Sequence, residues 1–418
     1  MEREIEINST NNTLIENLKL EKDKLNDLID KRIKGILLRS KAEWVEGSEK
    51  NSKYFANLEK KKAEQKTISQ LKNNNNYIET KQSNILNQIK DFYQHLYKKD
   101  VNIENCENST FFRNEITTLE QNYGDEQAGH LSEYECGIAL KEMKNNKSPG
   151  SDGLTADFYK IFWNDIKQYL VNSLNYSYDN KNLTELQKQS IITLLPKKDK
   201  DTLSINNWRP ISLLNVDYKI ASKVIANKIK TKLPTIISPD QTGFIKGRYI
   251  GENVRILHET IEYINNLNEK GLTFFSDFNK AFNSLDHNFM RKCLLKFKFP
   301  QFIINWVDLF YKDAKSCIHN NGHLSSFFNI EKGVRQGCPL SPYLFIICIE
   351  LLSNDINLNK DINGIKIGNI ELKQTLFADD ACFITDGEKK SFHTLVTTIE
   401  NFSKISGLKL NKDKIYGG

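Results

Sequence analysis

The chain has 418 residues, 39% of them hydrophobic and 27% charged, enough apolar material for two or three domains with their own cores. Its net charge of +6 is too mild to make the whole surface a polyanion binder, so any nucleic-acid contact must come from a local basic patch. Seven scattered cysteines without metal-binding spacing read as reduced thiols of an intracellular protein. The charged start excludes a signal peptide, and the longest apolar run, Tyr343 to Ile349, is too short for a membrane span.

In chain order, residues 1 to about 100 are rich in Lys, Glu and Asn. Helical spacing of Leu18, Leu25, Ile29, Ile33 and Ile36 predicts long amphipathic helices, continued over Ser40–Tyr54 with Trp44 and Phe55. Asn73–Asn76 marks a loop, and Ile85–Tyr97 predicts another helix. Residues 98–128 are polar and aperiodic, the pattern of a linker. Ser132 reads as the cap of a helix running to about Lys144, and a stiff loop, Lys147–Gly153, follows. The next helix carries Phe158, Tyr159, Phe162 and Trp163 on its apolar face. Ile191–Pro196 is a short strand.

The helix after Asp217 places Lys219, Lys223 and Lys230 on one side. With Lys246 and Arg248 of the Gly-punctuated loop Gln241–Arg248, these form a surface suited to tracking a phosphate backbone; a solvated helix face would look the same. A helix from Glu252 to Asn266 leads to the strand Thr273–Phe278 and a helix through Cys293. A Gly/Pro loop, Gly333–Pro342, then opens a strongly apolar helix.

The stretch Leu376–Thr385 reads as two apolar strands around a turn that carries Asp379 and Asp380. Adjacent carboxylates repel, and apolar flanks desolvate them, so a divalent cation is the natural compensation; an ordinary solvated turn would also carry Asp. Asp277, at the end of its own strand, adds a carboxylate from a second segment. Such a cage holds two divalent cations about 3.5–4 Å apart in nucleotidyl transfer. Mg²⁺ suits it, because that ion keeps waters and takes a few carboxylates plus substrate phosphates.

Four runs occur in order: Ser276–Phe282 (Ser-Asp-Phe-Asn-Lys-Ala-Phe), Arg335–Pro342 (Arg-Gln-Gly-Cys-Pro-Leu-Ser-Pro), Phe377–Asp380 (Phe-Ala-Asp-Asp) and the segment from Ser406 to Lys414. Together they resemble palm motifs A to D of reverse transcriptases from non-LTR retrotransposons, the long interspersed elements. Lys147–Gly153, Trp208–Asn215 and Gln241–Phe244 resemble the fingers motifs of that family. Trp44, Tyr54–Phe55 and Phe92–Tyr97 resemble the region that precedes its polymerase domain.

The resemblance implies an α/β (α+β) fold: a right-hand palm and fingers on an antiparallel palm sheet, behind a helical N-terminal extension. The divisions would be an extension over 1–125, fingers over 126–270 and palm over 271–418. It implies an RNA-directed DNA polymerase that transfers dNTPs to a DNA primer or target-DNA 3′ end on an RNA template. Two Mg²⁺ ions serve, with Mn²⁺ able to substitute, in an intracellular setting, nuclear or in a cytoplasmic ribonucleoprotein, with no membrane partner. Position by position, Asp277, Asp379, Asp380 and Phe278 match the metal site. Phe282 matches the aromatic under the nucleotide sugar, Gln336 and Gly337 the nucleotide pocket, Lys197 and Arg209 the triphosphate contacts, and Lys414 a proton donor to pyrophosphate. Asn283 departs from the pattern, standing where the family often has Asp. The sequence ends four residues after Lys414, before a thumb, and nothing in it resembles the family's endonuclease or zinc knuckle. It therefore reads as a fragment or a degraded element copy. A relic that only binds nucleic acid is the rival of another class, and an RNA-dependent RNA polymerase the rival among enzymes.

Overall fold

Alternating apolar residues in short runs between helical stretches should give helices laid on sheets. The computed structural model describes residues 20–24, 67–73, 75–100, 103–104, 106–120, 129–267, 270–411 and 416–417. Apart from the short helical stretch 20–24, the expected helices before residue 67 lie outside the described residues, as does Lys414. The chain divides into two compact units.

One unit comprises residues up to Lys81 together with Leu194–Arg209. Strands β1 (Leu71–Lys72) and β2 (Ile78–Glu79) form a hairpin across the expected Asn loop. Asn73 Oδ1 accepts from the amides of Asn75 (2.9 Å) and Tyr77 (3.0 Å), and Asn76 takes φ +64°. Asn tolerates that left-handed conformation because its short polar side chain bonds locally. The Leu194–Arg209 excursion is closed by the Lys197 amide on the Asn207 carbonyl (2.8 Å), and the Lys72 amide donates to Leu203 (2.9 Å).

The other unit, Gln82–Thr193 with Pro210–Gly418, holds the large core. Helix α1 (Gln82–Leu96) buries Ile85, Leu86, Ile89 and Tyr93. The 98–128 stretch differs from a plain linker where it is described: Cys106, Phe111 and Leu119 are buried, and Phe111 packs edge-on against Phe402 at 5.3 Å. Three apolar anchors spaced five to eight residues apart have no helical or strand period, so periodicity missed them.

Helix α2 (Glu133–Lys141) begins with the expected cap, a full capping box between Ser132 and Glu135. The single helix expected around Phe158–Trp163 is two, α3 (Ala156–Ile161) and α4 (Trp163–Asp179). Phe162, at φ −95° and ψ 13°, ends the first and caps the second. Helix α5 (Val216–Lys230) is buried along Ile220, Val224 and Ile225, and α6 is Ile250–Leu267.

Strands β3 (Gln189–Pro196) and β4 (Trp208–Leu214) belong to a five-stranded sheet of order β4-β3-β6-β7, where β6 is Lys315–Asn320 and β7 His323–Leu324. The fifth strand, β8 (Phe328–Asn329), also pairs with β6, and β3 runs parallel to β6. Helices α7 (His287–Lys296), α8 (Gln301–Tyr311), α9 (Ser341–Leu358) and α10 (Lys389–Ser406) supply a large share of the core. Strands β9 (Ile365–Ile367) and β10 (Ile370–Leu372) form a separate hairpin.

The second sheet carries the acids. Its order is β11-β12-β5-β13, and every pairing is antiparallel, as expected for a palm. The strands are β5 (Leu272–Asp277), β11 (Gln374–Phe377), β12 (Asp380–Thr385) and β13 (Tyr416–Gly417). Side chains alternate between its two faces. Phe274 and Phe383 enter the large core, with rings 6.1 Å apart, while Cys382 and Ile384 join Ile365 and the inner side of α6 in a smaller cluster. All seven cysteines are unpaired and buried, and burial pushes the Cys382 thiol up to about 12. Among the described residues no helix is long and apolar enough to cross a membrane.

Candidate active site

The register of the second sheet brings two of the three acids together. Asp277, last residue of β5, pairs directly with Asp380, first residue of β12. Facing residues of an antiparallel pair project from the same face. Here it is the face of Cys382 and Ile384, at the strand end. Asp379 occupies the two-residue connection Ala378–Asp379 between β11 and β12. Asp277 and Asp379 are half-buried, and Asp380 is exposed. Phe278 is only 2% exposed, and since its side chain carries no donor atom, only its main-chain carbonyl can serve a cation.

The donor chemistry is the kind a hard cation takes: carboxylates from adjoining backbones, half-buried at Asp277 and Asp379 and exposed at Asp380. Among the described residues no three His, Cys, Asp or Glu side chains converge tightly enough to hold a metal by themselves.

The segment after Asp277 is stitched to the Gly333–Gly337 loop. Val334 donates its amide to the Phe282 carbonyl (2.6 Å), and Gly333 donates to Leu285 (2.7 Å). Gly333 has φ +81°, and a Cβ there would lie 2.6 Å from the Asn283 carbonyl oxygen, so the close approach demands glycine. His287 Nε2 lies 2.8 Å from the Gly333 carbonyl, which can only accept, so Nε2 donates that bond; burial lowers the imidazole pKa. The half-buried ring of Phe282 stacks on Phe345 of α9, with centroids 4.8 Å apart and planes 17° apart. At the other end of the loop, the Gln336 carbonyl accepts from the Ser212 amide (2.7 Å). Gly337 takes φ +113°, and a Cβ there would lie 2.6 Å from the Ser212 carbonyl oxygen.

Asn283 is 3% exposed, and its Oδ1 accepts from Tyr97 at 3.1 Å. The aromatic segment ahead of the polymerase motifs thus reaches motif A directly, and Lys280 lies over the Phe92 ring at 4.2 Å. Lys197 and Arg209 sit in the first unit; Arg209 is exposed and Lys197 half-buried.

The five basic residues expected on a phosphate track have different surroundings. Lys223 pairs with Glu142 at 2.9 Å. The Arg248 guanidinium donates to the carbonyls of Ile237 (2.9 Å), Gln241 (2.6 Å) and Ser238, holding its own loop. Lys219 is half-buried, with its pKa lowered by desolvation; Lys230 is half-buried and Lys246 exposed. Two further residues, Gln241 and Asn253, touch the main chain of the Asp379 hairpin. In the sequence Gln241 is marked only as part of the basic loop Gln241–Arg248 and its fingers-like run Gln241–Phe244, and nothing singles out Asn253.

A family model described as reverse transcriptase (RNA-dependent DNA polymerase) matches residues 195–417. The chain is 30% identical over 368 residues to an uncharacterized 149 kDa protein of transposon TX1 from Xenopus laevis, covering 87% of this chain and 28% of that protein. It is 26% identical over 281 residues to the Pol polyprotein of the type-2 retrotransposable element R2DM of Drosophila melanogaster, covering 67% of this chain and 25% of that one. The Pol polyprotein of a type-1 element R2 from Popillia japonica is also 26% identical, over 293 residues, covering 68% of this chain and 38% of the relative. The chain therefore spans well under half the length of these relatives. Asp277 and Asp380 face one another inside the matched span, and the chain belongs to the reverse transcriptase (RNA-dependent DNA polymerase) family, among those of non-LTR retrotransposons.

Proposed function

We propose that this chain extends a DNA 3′ end by copying an RNA template, using dNTPs. The observation that carries the reading is the register that sets Asp277 against Asp380, one residue from Asp379. The residues around 126–270 act as fingers and those from 271 onward as palm. Asp277, Asp379, Asp380 and the Phe278 carbonyl would hold two Mg²⁺ ions, or Mn²⁺ in their place; these supply activation of the primer 3′-hydroxyl and charge stabilisation of the departing pyrophosphate.

The chain's own residues do the positioning. The Phe282 ring, held flat by Phe345, lies under the nucleotide sugar and leaves no space for a 2′-hydroxyl. Gln336 and Gly337 shape the pocket from a loop tied to β4. Lys197 and Arg209 take the triphosphate, where the planar guanidinium suits phosphate oxygens, and Lys414 returns a proton to pyrophosphate. Lys246, Lys219, Lys223 and Lys230 follow the template or primer backbone, with Arg248 fixing the loop that presents Lys246. The setting is a ribonucleoprotein, nuclear or cytoplasmic.

Incubation with poly(rA)/oligo(dT), Mg²⁺ and either dTTP or UTP tests the reading. Extension with dTTP and its near absence with UTP is the expected result. Extension with neither nucleotide, or with UTP alone, would overturn it.

A further inference from the structure

The acids sit on a turn that is not at ease. Ala378 adopts φ +57°, a left-handed conformation that residues other than glycine rarely take. Such strain persists only where the surroundings over-determine it. Here the surroundings are the segment Ser238–Gly243. The Gln241 side chain is fully buried, and its Oε1 accepts from the Ala378 amide (2.9 Å) and the Gly243 amide (2.8 Å). Two N–H donors identify that atom as the oxygen. Nε2 has no hydrogen-bond partner among the described residues, so only the carbonyl half of the amide is used.

Leu376 of β11, two residues before Ala378, is held as firmly. The Leu376 amide donates to Asp240 (2.8 Å), and its carbonyl accepts from the Thr242 amide (2.9 Å), Thr242 Oγ1 (3.3 Å) and Asn253 Nδ2 (2.9 Å). Gly243 lets the segment come this close, since a Cβ there would sit 2.5 Å from the Ala378 nitrogen. Arg248 locks the segment from behind through the Ile237, Ser238 and Gln241 carbonyls.

We infer that Gln241 is a positioning residue for the catalytic turn: its buried side-chain carbonyl holds the Ala378 amide, and through it the Asp379 carboxylate, in the orientation that polymerisation uses. This rests on the function proposed above and adds a residue that touches neither substrate nor metal. A glutamine that served only to fill the core would affect stability throughout the unit, without singling out the turn.

Two variants separate these roles. Gln241→Met keeps the length and loses the acceptor. Gln241→Glu keeps an acceptor oxygen and replaces the unused donor with a second, ionisable oxygen, so it is assayed at about pH 6 as well as at neutral pH to favour its uncharged form. Amide hydrogen exchange is followed in the parent and both variants without metal or nucleotide, at a temperature where all are folded. Primer-extension kcat and the KM for dTTP are measured alongside. In Gln241→Met the peptide covering Gln374–Phe383 should exchange about tenfold faster while peptides from α9 are unchanged. Its kcat should fall about 10- to 100-fold, the scale of a displacement near 1 Å, with KM within about twofold of the parent. Gln241→Glu should restore both. Unchanged exchange at the turn, faster exchange with unchanged kcat, or equal loss in both variants overturns the inference. A parent that extends no primer defeats the proposed function instead, and the exchange comparison then still decides whether Gln241 holds the turn.

Discussion

At the tip of the acidic sheet, Asp277 and Asp380 face each other, Asp379 stands beside them, and Ala378 holds a positive φ. In helix α9, by contrast, every residue from Leu344 to Leu352 is buried and almost all are apolar. The tip gathers unfavourable terms, like charges and backbone strain, and the helix gathers favourable ones. Each apolar side chain buried in α9 contributes about 1.5–3 kcal/mol of transfer free energy, so a few of them outweigh the cost of the tip. Chemistry and stability therefore occupy separate residues in one unit, and substitutions should affect one or the other.

The sharpest test of that separation is Asp379→Ala. Polymerisation should fall on the order of 10³-fold or more if Asp379 is, as proposed, a ligand for cations worth several kcal/mol in the transition state. The melting temperature in metal-free buffer should stay level or rise slightly, because a like charge has been removed. A large drop in melting temperature would break the comparison at its first term.

Phe345→Ala probes the other side. This ring is fully buried, and its loss should cost about 3–5 kcal/mol, read from urea unfolding. Because Phe345 stacks on Phe282, the variant also shows where the two regions meet. Assayed where it is still folded, it should use dTTP at near-parent rates but discriminate less against UTP. Unaltered discrimination would mean that the Phe282 ring keeps its place without support from α9.

Much of this was legible in the sequence because the two regions leave different marks. The apolar run of α9 and the paired strands around Asp379 and Asp380 follow period and turn chemistry closely. Asp277 lies at a strand end, so its facing partner was open to inference, though the exact register was not. What escaped depends on three-dimensional contact without period. Tyr97 reaching Asn283, Gln241 reaching Ala378, and the buried Phe111 and Leu119 all join residues far apart in the chain. Helix α6 shows the same limit: the sequence placed a helix over Glu252–Asn266, but not that Leu257, Tyr263 and Ile264 would pack on the Ile365, Cys382 and Ile384 cluster while Val254 stays 63% exposed. Amphipathic spacing tells which residues share a face and not whether that face is covered.

Within the run Leu344–Leu352 of α9, Glu350 alone breaks the apolar rule, and its effect should be the smallest of the three. Glu350 is fully buried; Oε1 accepts from the Ser238 amide (2.8 Å) and Asn354 Nδ2 (3.1 Å), and Oε2 has no hydrogen-bond partner among the described residues. Burial is the main cause that pushes its carboxyl up to about 8; Asp240 adds to the rise, while the Ser238 amide, Arg248 and Asn354 oppose it. The folded protein therefore keeps this proton between the ordinary glutamic value and about pH 8, whereas the unfolded chain has lost it. Folding binds a proton across that window, so the contribution to stability is complete below the unfolded value and declines as pH rises. Glu350→Gln retains an amide of the same shape and removes the titration. Its stability relative to the parent, from urea midpoints at pH 5, 6.5 and 8, should climb from near zero to on the order of 2–4 kcal/mol in favour of the variant. A difference that stays flat across the three pH values would show that Glu350 is already ionised in the fold. The network under the Gln241 segment would then contain an anion facing Arg248, and α9 would share the electrostatic burden of the tip.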